Sequence, residues 1–238
     1  ATAYLPYRPL DVTEWDADRD DLVERVTRRL GSMQLGATTR RPQPGPATTA
    51  ALLDRVRATG LAVLGWSGAA VALRQRAEFA LGPTWSAEAL AASVDEWLAP
   101  YLTQATGRAD LEHLDVLMLL RARLGWDGGT ELDRLTPPTL ELPTGRSVPI
   151  DYSGEQPSAR VRVQDLFGTT VHPTAGGRPI VLHLLSPADR PIQVTADLPG
   201  FWSGTWADVR KDLAGRYPKH QWPTDPATAT PKRLKDRP

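Results

Sequence analysis

The sequence predicts an α+β protein: a helical bundle in the middle, then a small antiparallel sheet of about five strands, closed by a final helix. Three observations carry this. Between residues 47 and 126, apolar residues recur at helical spacing, and capping or breaking residues bound each run. From residue 127 the texture changes to short β-rich runs separated by Gly/Pro turns. Residues 197–215 then return to the spacing of one helix face. With 238 residues, 41% of them hydrophobic, the chain has material for a real core, while 22 prolines and 19 glycines imply a broken-up architecture.

Residues 1–46 open the chain. Tyr4, Leu5, Tyr7 and Leu10 lie among prolines and read as extended. Val12 to Trp15 reads as a short strand and Asp16 to Asp21 as a turn. Leu22, Val23, Val26, Leu30 and Met33 fit helical spacing, and alternation through the same stretch is imperfect, so the residues lean to helix and leave a strand open. Arg40 to Pro46 is a linker.

Four helices are expected in 47–126. The first carries Leu52, Leu53 and Val56 and ends near Gly60. The second is capped by Ser67 and stopped by Gly82-Pro83. The third opens at Ser86 and stops at Pro100. The fourth is capped by Asp110 and ends at Gly125. Trp66, Trp85, Trp97 and Trp126 read as core or rim residues of this bundle.

The five β-rich runs are 139–142, 148–152, 159–163, 180–185 and 192–195. The third alternates strictly, which predicts one wet face, and the fourth is continuously apolar, which predicts a central strand. Trp202, Trp206, Val209 and Leu213 fall at i, i+4, i+7 and i+11 and place one last helix over Asp197 to Gly215. Residues 224–238, rich in Pro, Thr and Lys/Arg, read as a basic disordered tail.

Composition narrows the chemistry. The net charge is zero, so any binding of nucleic acid must be local. There is no cysteine, which fits a reducing compartment. No signal peptide opens the chain, and no apolar run approaches the roughly 20 residues that span a bilayer, so the expectation is a cytoplasmic protein without a membrane partner. The sequence contains neither a Walker phosphate loop nor a dinucleotide fingerprint. The acidic run at Asp16 to Asp21 fails as a calcium loop, because Asp21 stands where the glycine belongs. The four scattered histidines lack metal spacing. No catalytic constellation emerges.

One stretch stands out. Residues 201–223 hold three of the eight tryptophans, with Arg210, Lys211, Arg216, Lys219 and His220 between the rings. Residues 214–238 hold six Lys/Arg against two Asp, a local charge of +4. Arg216, Tyr217, Lys219, His220, Trp222, Lys232, Arg233 and Lys235 are therefore candidates for nucleic-acid contact, the cations on phosphate and the rings on bases. Phe167, Phe201, Trp202 and Trp206 are candidates for the structural anchor.

The blocks Phe201-Trp202-x-Gly204-x-Trp206 and Gly215-Arg216-Tyr217-Pro218-Lys219-His220-x-Trp222-Pro223 resemble the C-terminal signature of bacterial HrpB-type ATP-dependent helicases, in the DEAH/RHA group of superfamily 2. Pro143-Thr144-Gly145-Arg146, Val161-x-Val163-Gln164-Asp165-Leu166-Phe167-Gly168 and Leu184-Leu185-Ser186-Pro187-Ala188-x-Arg190-Pro191 extend the resemblance, which covers about residues 50–223. Residues 8–42 resemble the end of that family's OB-like domain, which implies a strand hairpin there, with a departure at Asp20-Asp21 and Glu24, where the family is more basic.

The resemblance implies parts at 1–46 (hairpin and linker), 47–126 (helical), 127–223 (HrpB-type α+β) and 224–238 (tail). It implies a non-catalytic accessory region that assists RNA binding or closes the RNA channel, or else a scaffold that docks on the motor or a partner. It further implies motor domains in cis. It also implies no cofactor for this stretch, with ATP and Mg bound in the parent protein. Oligomeric state is not indicated.

Overall fold

Turn chemistry decides the first layer. In the computed structural model, which describes residues 10–30 and 33–231, Leu10–Asp16 (β1), Asp21–Leu30 (β2) and Met33–Arg40 (β3) form an antiparallel meander, β1-β2-β3. The helical spacing of 22–33 is overruled, and the hairpin implied by resemblance gains a third strand. The Asp16 carboxylate accepts from the backbone N–H groups of Asp18 at 3.0 Å and Arg19 at 3.2 Å, which closes the turn. Trp15 then pairs with Leu22 and Glu14 with Val23. Cross-strand pairing with burial of Leu22 and Val23 outweighs a weak helical period.

By contacts the chain divides into two compact units, Ala1–Arg74 with Pro83–Trp126, and Gln75–Gly82 with Asp127–Pro238. Residues 1–46 thus share the first unit with 47–74 and 83–126, while 75–82 belong to the second.

The helices of the first unit begin with Pro46–Thr59 (α1), where proline at the start fits a position whose N–H has no helical partner. Leu52, Leu53 and Val56 are its buried side. Gly68–Leu81 (α2) is capped by Ser67, whose Oγ accepts from Ala70 N–H at 3.1 Å. Ser86 does the same for Ala87–Ala92 (α3), accepting from Ala89 N–H at 3.1 Å, and Val94–Trp97 (α4) follows. Asp110 does not cap the long helix. It lies inside Arg108–Glu112 (α5) and accepts backbone N–H groups from Thr106 and Gly107, which holds its pKa below the usual range. The long helix, Val116–Leu135 (α6), opens instead at Asp115, which accepts from Met118 N–H at 3.0 Å. It breaks at Gly125 (φ 68°, ψ 176°), a conformation open to glycine, and then resumes. Trp85 and Trp97 are buried, whereas Trp126 is 88% exposed and leaves the expected core set.

The second unit carries the sheets. All five expected runs include strand residues, but they do not join one antiparallel sheet. Thr139–Glu141 (β4) and Ser147–Pro149 (β5) form a separate ribbon. Ser158–Arg162 (β6) pairs in parallel with Val181–Leu185 (β9), and Pro191–Thr195 (β10) pairs antiparallel with β9, giving the order β10-β9-β6. The long connection from β6 to β9 permits the parallel crossover. It contains a 3-10 turn, Val163–Leu166, and a further hairpin of Thr174–Ala175 (β7) and Arg178–Pro179 (β8). That hairpin turns on Gly176-Gly177, both at positive φ, and the Gly-Gly pair is the sequence signal for it.

The expected final helix is two helices, Leu198–Ser203 (α7) and Trp206–Arg216 (α8), separated at Gly204 (φ −101°, ψ −99°). Asp197 caps the first by accepting from Gly200 N–H at 3.0 Å. Residues 224–231 are not a free tail. Pro226 is buried, its carbonyl accepts from Gly168 N–H at 2.9 Å, and Ala227 and Ala229 pack against the core. Small apolar residues suit this close approach: a Cβ on Gly168 would stand 3.0 Å from the Ala229 carbonyl oxygen.

Candidate functional site

The parallel pairing of β6 with β9 brings their C-terminal ends to the same edge of the sheet. The 3-10 turn at 163–166 leaves one end, and the 186–190 turn leaves the other. The segment after α8 meets both. Gln164 donates to the Gln221 carbonyl at 3.4 Å, and the Tyr217 hydroxyl donates to Ser186 Oγ at 3.3 Å. The three sequence blocks 161–168, 182–191 and 215–223 therefore converge.

The rings of this segment are committed to the fold. Trp202 and Trp206 pack edge to face at 5.4 Å, and Phe167 stands 5.7 Å and Phe201 6.1 Å from Trp206. Trp206 is 1% exposed, and its Nε1–H donates to the Pro223 carbonyl at 3.0 Å. Trp222 joins the cluster 6.3 Å from Trp206 and donates Nε1–H to the Tyr217 carbonyl at 2.9 Å. Its own carbonyl accepts from Arg210 Nε at 2.9 Å. Tyr217 and Trp222 are half-buried against the core, so each ring turns only part of its surface to solvent. The physical reason is the chain reversal at Tyr217 to His220, which folds Trp222 back onto the end of α8.

The cations behave differently. Arg216 is exposed and forms an i,i+4 pair with Asp212 at 3.1 Å. Arg190, Lys211 and Lys219 are exposed, and among the described residues their side chains join no hydrogen bond or ion pair. His220 is half-buried, its ring 6.2 Å from Tyr217 and 6.4 Å from Trp222. Lys232, Arg233 and Lys235 lie outside the described residues. Arg190, missed as a site residue in the sequence, follows the Ser186-Pro187-Ala188-Asp189 turn. Its position next to a tight turn was the available signal.

Behind this edge lies a charged network. Arg162 holds Asp189 through two bonds of 2.8 Å, and this keeps the Asp189 carboxyl below its ordinary pKa. Arg146 reaches Asp165 at 3.4 Å. Asp165 is 2% exposed and its Oδ1 has no partner, so burial pushes its pKa up against the pull of Arg146. The Arg162–Asp189 pair fixes the turn that carries Arg190. Among the described residues no group of three or more acidic or histidine side chains is placed to hold a metal, and no helix is long and apolar enough to cross a membrane.

The family described as ATP-dependent helicase C-terminal matches residues 97–226. The ATP-dependent RNA helicase HrpB of Escherichia coli K12 is 40% identical, over 94% of this chain and 29% of the relative. A crystal structure of the E. coli DExH-box NTPase HrpB superposes with a TM-score of 0.79 at 35% identity, over 95% of this chain and 29% of that one. A second, of the E. coli DEAH/RHA helicase HrpB, gives a TM-score of 0.65 at 33% identity, over 93% of this chain. This chain thus spans less than a third of these relatives' length. It belongs, as an HrpB-type member, to the ATP-dependent helicase C-terminal family.

Proposed function

We propose that this chain is the non-catalytic accessory region of an ATP-dependent RNA helicase, and that it adds an ionic contact to single-stranded RNA beside the motor. The observation that carries this reading is the separation of rings from cations. Trp206 and Trp222 are used in packing, while Arg190, Lys211 and Lys219 stay exposed and unpaired among the described residues. Such a surface neutralises phosphates, and its binding is strongly salt-dependent. ATP and Mg belong to the motor domains of the parent protein. β1–β3 serve as the closing strands of an OB-like part in the intact helicase.

The test is a titration of labelled single-stranded RNA at low and high salt. Lys211→Glu with Lys219→Glu should weaken binding and lower the slope of log K against log salt by about 1 to 2, without moving the unfolding transition. A flat response at micromolar protein overturns the reading.

A second reading, a scaffold that docks on the helicase body, is favoured by the exposed Trp126 and by Met118 at 45% exposure on the same helix. Trp126→Ala would then weaken association with the motor domains and leave RNA affinity unchanged.

A further inference from the structure

A cleft of about 340 Å³ lies between the turn that follows β9 and helix α8. Ile192 and Leu213 line it with apolar surface, and Arg190, Arg216, Asp208 and Asp212 supply its charges. Its volume is at the small end of ligand pockets and suits a single flat, polar-edged group. Two features make it a built site. The 186–190 turn is fixed by Ser186, which is 2% exposed and whose Oγ accepts from Arg190 N–H at 3.1 Å and from the Tyr217 hydroxyl at 3.3 Å. The charges also divide by role: Asp212 and Arg216 answer each other, whereas Arg190 and Asp208 are exposed and unpaired among the described residues.

We infer that this cleft is a one-nucleotide subsite for single-stranded RNA, selective for a base with an exocyclic amine. Arg190 pairs with the phosphate. Ile192 and Val209, the half-buried apolar residues of the lining, cover one face of the base. The Asp208 carboxylate accepts from the amino group of cytosine or adenine, as carboxylates do at base edges. Uracil has no amino group; it can offer only its single N3–H, and the carbonyl oxygens on either side of that N–H repel the carboxylate, so its contact is weaker. The inference rests on the RNA-contact reading above and adds base preference to it.

The test is fluorescence anisotropy of the 238-residue chain with labelled oligo(rC), oligo(rA) and oligo(rU) of equal length at one salt concentration. Oligo(rC) and oligo(rA) should bind roughly fivefold tighter than oligo(rU). Asp208→Ala should abolish that ratio, and Arg190→Ala should weaken all three. Thermal melting of each variant separates loss of fold from loss of contact, and Asp208→Glu, which keeps the acceptor, should retain the preference if the fold is intact. Equal, salt-dependent binding of the three oligomers overturns the subsite and leaves the ionic contact standing. Absence of binding to all three overturns both.

Discussion

In the first unit the guanidinium of Arg55 lies 4.4 Å from the centroid of the Trp15 ring. The same Arg55 donates to Asp20 at 3.1 Å, Trp15 Nε1–H donates to Asp20 at 3.3 Å, and Arg108 also bonds Asp20. Ring, cation and carboxylate contact one another, while the Arg55 Nε–H is left buried without a partner among the described residues. Around α8 in the second unit the rings and the exposed cations are sorted apart, although elsewhere in that unit Arg178 lies 5.1 Å from the centroid of the Phe79 ring. Trp202, Trp206 and Trp222 gather in one cluster with Phe167 and Phe201, while Arg190, Lys211 and Lys219 remain at the surface. The difference teaches that a stretch in which rings and cations alternate does not by itself make a stacking surface. Alternation along the chain says nothing of direction in space, and the acceptors nearby decide which cations are spent on the fold.

The comparison can be strained at its strongest point first. Trp206→Ala removes the centre of the aromatic cluster and the bond to Pro223, and should cost about 3–5 kcal/mol, read as a fall in the urea midpoint. A loss below about 1 kcal/mol would mean that the cluster is no anchor. Next in size, Asp20→Ala leaves Trp15, Arg55 and Arg108 without their common acceptor. These side chains are partly solvated, which limits the loss to about 1–2 kcal/mol, again in urea.

The smallest effect is a matter of pH. The Asp165 carboxyl is raised by burial from its ordinary 3.8, so it is raised in the folded state relative to the unfolded one. Its contribution to stability is complete below the unfolded value and is lost as pH rises through the folded value. Asp165→Asn should therefore flatten that part of the stability profile and gain on the wild type as pH increases above about 4. An unchanged slope between pH 3 and pH 7 would place the carboxylate outside the buried network.

Much of the fold was legible where local rules and tertiary packing agree. Ser67 and Ser86 cap helices as their positions predict, and the runs at 139–142 and 180–185 contain strands. Where the reading failed, something non-local had won. The strand at 21–30 is set by its pairing with residues 10–16 and with 33–40, which no window of its own sequence contains. Asp110 lost its capping role to Asp115 because its carboxylate accepts from the Thr106–Gly107 loop instead. At the candidate site, the basic character of 216–219 was plain in the sequence, but Arg190 was not, since it arrives from a different turn.

The sequence by itself determined which residues are apolar at which spacing, where most helices begin, and which family the chain resembles. Those properties depend on neighbours within one turn of chain or on motifs of a few residues. Only the tertiary structure decided the pairing of β6 with β9 in parallel and the return of 224–231 to the core. It also decided which cations face water. Each of these depends on a partner that is distant in sequence, and burial of Trp206 and Trp222 against that partner outweighs whatever the exposed segment would do alone.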